Sequence, residues 1–280
     1  MNLVVQGAGI EAADASQIAV LCGARSFEQV AQSAWRLRAP SPPLQGEATV
    51  AAYCEHRSLD HAWVQEGRKF AGFRLLAMDM DSTLITIECI DEIGGMLGIK
   101  PAIAAITARA MRGEIDYAES LGQRVALLAG LGIEALERVY AEKLRLSPGA
   151  EALVKHAQRV GISTLLVSGG FTFFTERLQK RLGLDHALSN VLEIEDGRLT
   201  GRVSGPIVNA RAKVERLKGL AHALGLAMKQ TIAIGDGAND IPMLEAAGVS
   251  IAYRAKPIVR AKATYALNHS GLDGVINLFE

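Results

Sequence analysis

The segment "LLAMDMDSTLITIECIDEIGG", from Leu75 to Gly95, sets two carboxylates, Asp79 and Asp81, at the end of an apolar run. Residues two positions apart in an extended segment point the same way, so both acids are aimed at one spot. Two carboxylates about 4 Å apart repel by roughly 4 kcal/mol at an effective dielectric near 20. Such a pair needs a positive charge beside it. Two later segments offer matching chemistry. In "VSGG", Ser168 supplies a hydroxyl, and Gly169 and Gly170 let backbone N–H groups approach an anion closely. The helix-like "FTFFTERLQKRL" that follows adds its positive N-terminal end. In "IGDGAND", Asp236 and Asp240 flank a glycine turn. Asp79, Asp81 and Asp236 are hard oxygen donors, the kind Mg²⁺ takes while keeping waters. Lys213, near the start of "NARAKVERLKGLAHALG", lies between two of these segments and could neutralise a phosphate dianion beside Asp79.

Each part has a plainer reading. Asp-x-Asp at a strand end serves as a turn or helix cap, "SGG" as a turn, "GDGAND" as an ordinary or calcium-type loop, and a helical lysine as solvated surface. What favours chemistry is their order on three strand ends of one sheet.

The surrounding sequence predicts that sheet. "FRLLAMDMD" is apolar without alternation, as expected of a strand buried on both faces of a parallel sheet. "GISTLLVSGG", "QTIAIGDGAND" and "GVSIAY" repeat the signature, each followed by helix-like sequence. Strands alternating with helices indicate an open parallel sheet, with ligands beyond the carboxyl ends of its strands. About eighty residues separate the first of these strands from "GIST", far more than a simple crossover needs. They read as helical throughout: "IDEIGGMLGI", "PAIAAITARAMRG", "DYAESLGQRVALLAGLG" and "IEALERVYAEKL" carry apolar residues at three- and four-residue spacings. An insertion there would sit over the strand ends as a lid. "VLEIEDGRLTGRV" alternates around Asp196-Gly197, a hairpin signal.

Before Phe73 the pattern is weaker. "NLVV" and "DHAWV" read as strands, "DASQIAVLCG" as a helix stopped by Gly23 and "EATVAAYCEH" as a second helix, with Pro40, Pro42 and Pro43 breaking the middle. A small α+β module is expected.

Composition bounds the partners. The 280 residues are 49% hydrophobic and 21% charged, an ordinary globular mix. Thirty basic residues balance thirty acidic ones, so no net charge draws the chain to nucleic acid or to an acidic membrane. Cys22, Cys54 and Cys89 stand in no metal-like spacing, the N-terminus has no signal-peptide pattern, and every apolar stretch is broken before a membrane-spanning length. A soluble cytoplasmic protein is expected.

Taken in order, "DMDST", "SGG", Lys213 and "GDGAND" resemble the four motifs of the haloacid dehalogenase superfamily of phosphatases. The similarity runs from about Leu75 to the C-terminus. "IECIDEI", "RAMRGEIDYAESLGQRV", "SGGFTFF" and "IAIGDGANDIPM" resemble the branch that acts on O-phospho-L-serine. The resemblance implies a Rossmann-like, doubly wound α/β core over residues 73–86 and 147–280, an all-helical cap over 87–146, and a reduced ACT-like module over 1–68. It implies that Asp79 is the nucleophile, forming an aspartyl-phosphate, and that Asp81 is the general acid and then base. Mg²⁺ would be held by Asp79, the backbone carbonyl of Asp81 and Asp236, with Asp240 behind them.

Ser168, the Gly169 N–H, Lys213 and Asn239 would hold the phosphoryl oxygens, although Asn239 could instead cap a helix. Glu88 would meet the substrate ammonium and Arg124 its carboxylate, the plainer reading of Arg124 being a surface charge. Tyr117 is a candidate lid contact, and Met111 and Gly113 would serve lid packing and turning. The expected activity is release of L-serine and phosphate, the last step of serine biosynthesis, with a homodimer as the candidate assembly.

Three alternatives compete. The aspartyl-phosphate could pass to another alcohol, or the substrate could be another small phosphomonoester. "VVQGAGIEAADA" matches G-x-G-x-x-A at Gly7, Gly9 and Ala12, a weak dinucleotide fingerprint with no acid-ended strand following. A non-catalytic serine-binding module would bind without turnover.

Overall fold

In the computed structural model, which describes residues 1–38 and 46–280, the N-terminal region builds a four-stranded antiparallel sheet. Its elements are β1 (Asn2–Gln6), α1 (Ala12–Cys22), β2 (Ser26–Ala31), β3 (Ala34–Arg38), α2 (Glu47–His56) and β4 (Asp60–Val64), in strand order β2-β3-β1-β4. Alternation decides the layers: Leu3 and Val5 pack with Ile18, Val50 and Cys54 of the two helices, while Val4 faces the rest of the protein. Gly23, at φ 66°, ends α1 in the left-handed conformation that a side chain resists. Both neighbours of β1 run antiparallel to it, which removes the parallel βαβ unit that a dinucleotide fingerprint requires. Pro40, Pro42 and Pro43 lie outside the described residues.

The second sheet is larger. After β5 (Leu75–Met78) come the helices α3 (Cys89–Met96), α4 (Lys100–Met111), α5 (Tyr117–Ala126), α6 (Ile133–Arg138) and α7 (Ala150–Arg159). Then follow β6 (Ser163–Phe171), α8 (Thr172–Leu182), β7 (His186–Glu195), β8 (Arg198–Ser204), α9 (Ala210–Ala223), β9 (Thr231–Gly235), α10 (Ile241–Ala246), β10 (Val249–Tyr253) and β11 (Tyr265–Leu267). The strand order is β11-β10-β9-β5-β6-β7-β8. Leu76 and Met78 face a core shared with α7 and α8, whereas Leu75 and Ala77 face one shared with α9 and α10. Burial on both faces is why β5 shows no alternation.

The sheet is mixed rather than wholly parallel. β8, at the edge, runs antiparallel to β7 because the hairpin closes at Asp196 (φ 50°) and Gly197 (φ 75°), and the remaining strand pairs of the sheet are parallel. β5 lies between β6 and β9, so the three motif-bearing strands end side by side. This is where the chain winds both ways from the centre, the position at which α/β sheets bind ligands.

Helices α3 to α6 make up the insertion. Ile93, Ile103, Leu121, Val125 and Leu136 bury its inner faces. Its α5–α6 loop pairs with the β7–β8 hairpin through Gly130 N–H to Leu199 O (2.7 Å), Leu199 N–H to Leu131 O (2.8 Å) and Ile133 N–H to Gly197 O (2.9 Å). The N-terminal sheet is joined to the larger unit by buried polar groups. Asp60 accepts N–H bonds from Asn268, His269 and Ser270, and Arg36 donates to Asn277 O (3.0 Å) and Phe279 O (2.6 Å). No helix among the described residues is long and apolar enough to cross a membrane.

Candidate active site

Asp79 follows β5 directly, and its N–H donates to Ile234 O at 3.0 Å, which fixes it beside β9. Its buried Oδ1 lies 2.6 Å from the Lys213 ammonium, which also meets Asp240 Oδ1 at 2.7 Å. Lys213 sits one turn into α9, whose start is set by Asn209 accepting the Ala212 N–H at 3.0 Å. It is 1% exposed, so this is an interior cation and not a solvated surface lysine. Burial pulls its pKa down, but Asp79 and Asp240 outweigh burial and raise it above the ordinary lysine value.

Each acid responds to the crowding. Burial, then Asp240, pushes Asp79 well above the usual carboxylate range, against the attraction of Lys213. Burial, then Glu88, raises Asp81 to about 7, although the Cys89 N–H donates to its Oδ1 at 3.0 Å. Asp236 is raised to about 6 by burial and by Asp240, opposed by the Thr83 hydroxyl, which donates to Oδ1 at 2.9 Å.

Asp240 is committed to the fold of the motif. Its Oδ1 takes Lys213, and its Oδ2 accepts the N–H groups of Asp236 (3.2 Å) and Gly237 (3.0 Å). Asp79, Asp236 and Asp240 each place a carboxylate oxygen within 4.8 Å of the others, a set capable of holding a metal ion. With Asp240 occupied on both oxygens, Asp79 and Asp236 are the two that keep an oxygen without a hydrogen bond among the described residues.

The turn Met80–Leu84, with Ser82 at φ 56°, brings Asp81 back over the end of β6. A Cβ on Gly170 would stand 2.8 Å from Asp81 Oδ2, so only glycine admits this approach. "SGG" is not a turn: β6 continues through it to Phe171, and α8 begins at Thr172. Ser168 is buried, and its Oγ accepts the Gly170 N–H at 2.8 Å.

The insertion reaches the same place. Tyr117, the first residue of α5, donates its hydroxyl to Gly169 O at 3.1 Å. Arg124 is two turns further along α5 and partly buried, and its charge favours the Tyr117 phenolate against the burial that raises that group. Glu88 precedes α3, is exposed, and accepts from the Ser82 hydroxyl at 2.8 Å. Asn239 is exposed in the "GDGAND" turn and does not cap α10, whose N-cap position is Asp240. Met111 is 71% exposed, so it does not pack the lid, while Gly113, at φ 75°, does turn it. Thr83, Cys89 and Asn190 hold site groups in place and were not singled out in the sequence. Only "DST" carries a local hint, a polar residue next to the acids that proves fully buried.

Strand-end acids around a buried lysine define a hydrolase of one class. Residues 76–245 match the haloacid dehalogenase-like hydrolase family, and the chain belongs to that family. It is 52% identical over 215 residues to the phosphoserine phosphatase of Polaromonas sp. (strain JS666 / ATCC BAA-500), covering 75% of this chain and 91% of that protein. The crystal structure of a probable phosphoserine phosphatase from Vibrio cholerae superposes with a TM-score of 0.86 at 34% identity, over 99% of this chain and 86% of that one. A phospho-aspartyl intermediate analogue of phosphoserine phosphatase superposes with a TM-score of 0.69 at 38% identity, over 74% of this chain and 99% of that one.

Proposed function

We propose that the chain is a phosphoserine phosphatase, hydrolysing O-phospho-L-serine to L-serine and phosphate at the end of serine biosynthesis. The observation that carries the reading is the buried Asp79–Lys213–Asp240 cluster with Asp81 beside it. Asp79 attacks phosphorus as the bond to the serine oxygen breaks, giving an aspartyl-phosphate. Asp81, protonated, delivers its proton to the departing oxygen. It then takes a proton from the water that attacks phosphorus, and the Asp79–phosphorus bond breaks to release phosphate. A pKa near 7 suits a group that must give and then regain a proton close to neutral pH.

Ser168, the Gly169 N–H, Lys213 and Asn239 neutralise the phosphoryl oxygens. Glu88 takes the substrate ammonium, and Arg124 takes its carboxylate with a planar fork. Tyr117 closes the insertion over both. The all-oxygen donor set and its unrelieved negative charge fit Mg²⁺, which Asp79, the Asp81 carbonyl and Asp236 would hold, with Asp240 behind. When bound it supplies Lewis-acid charge against the carboxylates and the phosphoryl group.

The same reading divides the chain into a reduced ACT-like module over 1–68, a catalytic core over 73–86 and 147–280, and a helical cap over 87–146. It makes the protein cytoplasmic, with a homodimer as the candidate assembly. Phosphate release from a panel of phosphomonoesters, with Mg²⁺ and then with EDTA, tests it. Phosphoserine should be preferred, EDTA should abolish release, and Asp79→Asn should reduce turnover to background. Wild-type turnover in Asp79→Asn, or transfer to homoserine exceeding release, would refute it.

A further inference from the structure

The strand β6 loses its partner where the phosphate-facing residues begin. Val167 pairs with Leu188 and Phe171 pairs with Asn190, so β6 advances four residues while β7 advances two. Carbonyls drawn out of the ladder by such a break need another donor to the extent that they are shielded from water. The carbonyl of Gly169 finds two: the side-chain amide of Asn190 at 2.8 Å and the Tyr117 hydroxyl at 3.1 Å.

Asn190 is 1% exposed, and both ends of its amide are used. Nδ2 donates to Gly169 O, and Oδ1 accepts the Val208 N–H at 2.8 Å. Val208 immediately precedes Asn209, the residue that starts α9 and so places Lys213. One side chain thus spans the two segments that would meet the phosphoryl group.

The chemistry continues through the peptide. The Gly169 carbonyl and the Gly170 N–H belong to the same planar unit, so holding one end directs the other. That N–H donates to Ser168 Oγ at 2.8 Å. A serine hydroxyl has one proton and two lone pairs. With a lone pair taken by Gly170, and with Ser168 Oγ donating to no group among the described residues, its proton is left for an incoming oxygen. Bonds in such a chain polarise one another in the same sense. The carbonyl, the negative end of the peptide dipole, is meanwhile taken up by Asn190 and Tyr117.

We infer that Asn190 is a positioning residue for phosphoryl transfer, acting through the Gly169–Gly170 peptide to aim the Ser168 hydroxyl. The inference rests on the function proposed above. Asn190→Asp tests it, because it keeps the acceptor for Val208 while replacing the donor to Gly169 O with an oxygen. Replacing one of the two donors to this carbonyl, and setting an oxygen against it, predicts a loss of about 10- to 100-fold in kcat/KM for phosphoserine.

The decisive measurement is the same change in a Ser168→Ala background, where there is no hydroxyl left to aim. There the Asn190→Asp effect should shrink to about twofold or less. Equal losses in both backgrounds, or no loss with Ser168 present, would overturn the inference. Circular dichroism and Tm accompany each protein, and Asn190→Ser carries the cycle should Asn190→Asp not fold. Wild-type protein without phosphoserine turnover would refute the function, whereas additive losses refute the relay alone.

Discussion

Asp81→Asn should stabilise the metal-free protein while removing its activity. The substitution keeps the shape of the side chain and an oxygen to accept the Cys89 N–H, which stands 3.0 Å from Oδ1. What it removes is a charge that the fold holds at a cost. Burial, and then Glu88, raises Asp81 from 3.8 to about 7. A raised carboxyl pKa means that the folded state binds the proton more tightly than the unfolded one. The penalty is therefore absent below about pH 4, grows through the window from 4 to 7, and is fully present above it. At about 1.4 kcal/mol per pKa unit, the penalty above pH 7 is about 4 kcal/mol. In a chain of this size that corresponds to roughly 10 °C in Tm.

The assay is thermal unfolding of wild type and variant in EDTA at pH 4.5, 6 and 7.5. The difference between the two cancels the titrating groups that Asp81 does not reach, while Asp79, whose pKa the Asp81 charge raises, is relieved in the same sense. It should be small at pH 4.5, intermediate at pH 6 and largest at pH 7.5, with the variant melting higher. A gap that does not change with pH, or a variant that melts lower at pH 7.5, would refute the reasoning.

Three further outcomes follow from the geometry. Lys213→Met leaves Asp79 and Asp240 without their shared cation, 2.6 and 2.7 Å from its present position, and should destabilise the protein by about 3–5 kcal/mol in denaturant titration at pH 7.5, with turnover reduced at least about a hundredfold. Arg124→Lys replaces a planar fork with a point charge and should raise KM for phosphoserine about tenfold, while leaving p-nitrophenyl phosphate hydrolysis unchanged. Asp60→Ala strands the N–H groups of Asn268, His269 and Ser270 at the junction with the N-terminal sheet, so it should cost about 1–3 kcal/mol of stability without altering kcat.

What the sequence disclosed depended on whether the cause was local. Asp79, Asp81 and Asp236 were legible because acids are poor strand residues and each ended an apolar run. The hairpin at Asp196-Gly197 was legible because both residues adopt positive φ there. The β2–β3 hairpin was not, since its Gln32-Ser33 connection carries no such signal and β2 is exposed on both faces. Lys213 was legible by its order among the motifs, and nothing in its helix reveals that it is buried. Thr83 and Asn190 owe their roles to partners 153 and 21 residues away in the chain. Asn190, moreover, works at a register break, which no periodicity in either strand announces.

The two glycines of "VSGG" sharpen the point, because the sequence suggests only one reason for them. Freedom to approach an anion explains one missing side chain on each. The structure adds a competitor for the same space: the Tyr117 hydroxyl over Gly169 and the Asp81 carboxylate over Gly170. Any Cβ at these positions would push away the Tyr117 hydroxyl or the Asp81 carboxylate before it met a ligand. The glycines therefore serve the protein's own groups, whatever ligand they also admit. It follows that the segment after β5, the insertion and the end of β6 are fitted to one another at these two residues, and that Asp81 can stand over Gly170 only because that residue offers it no side chain.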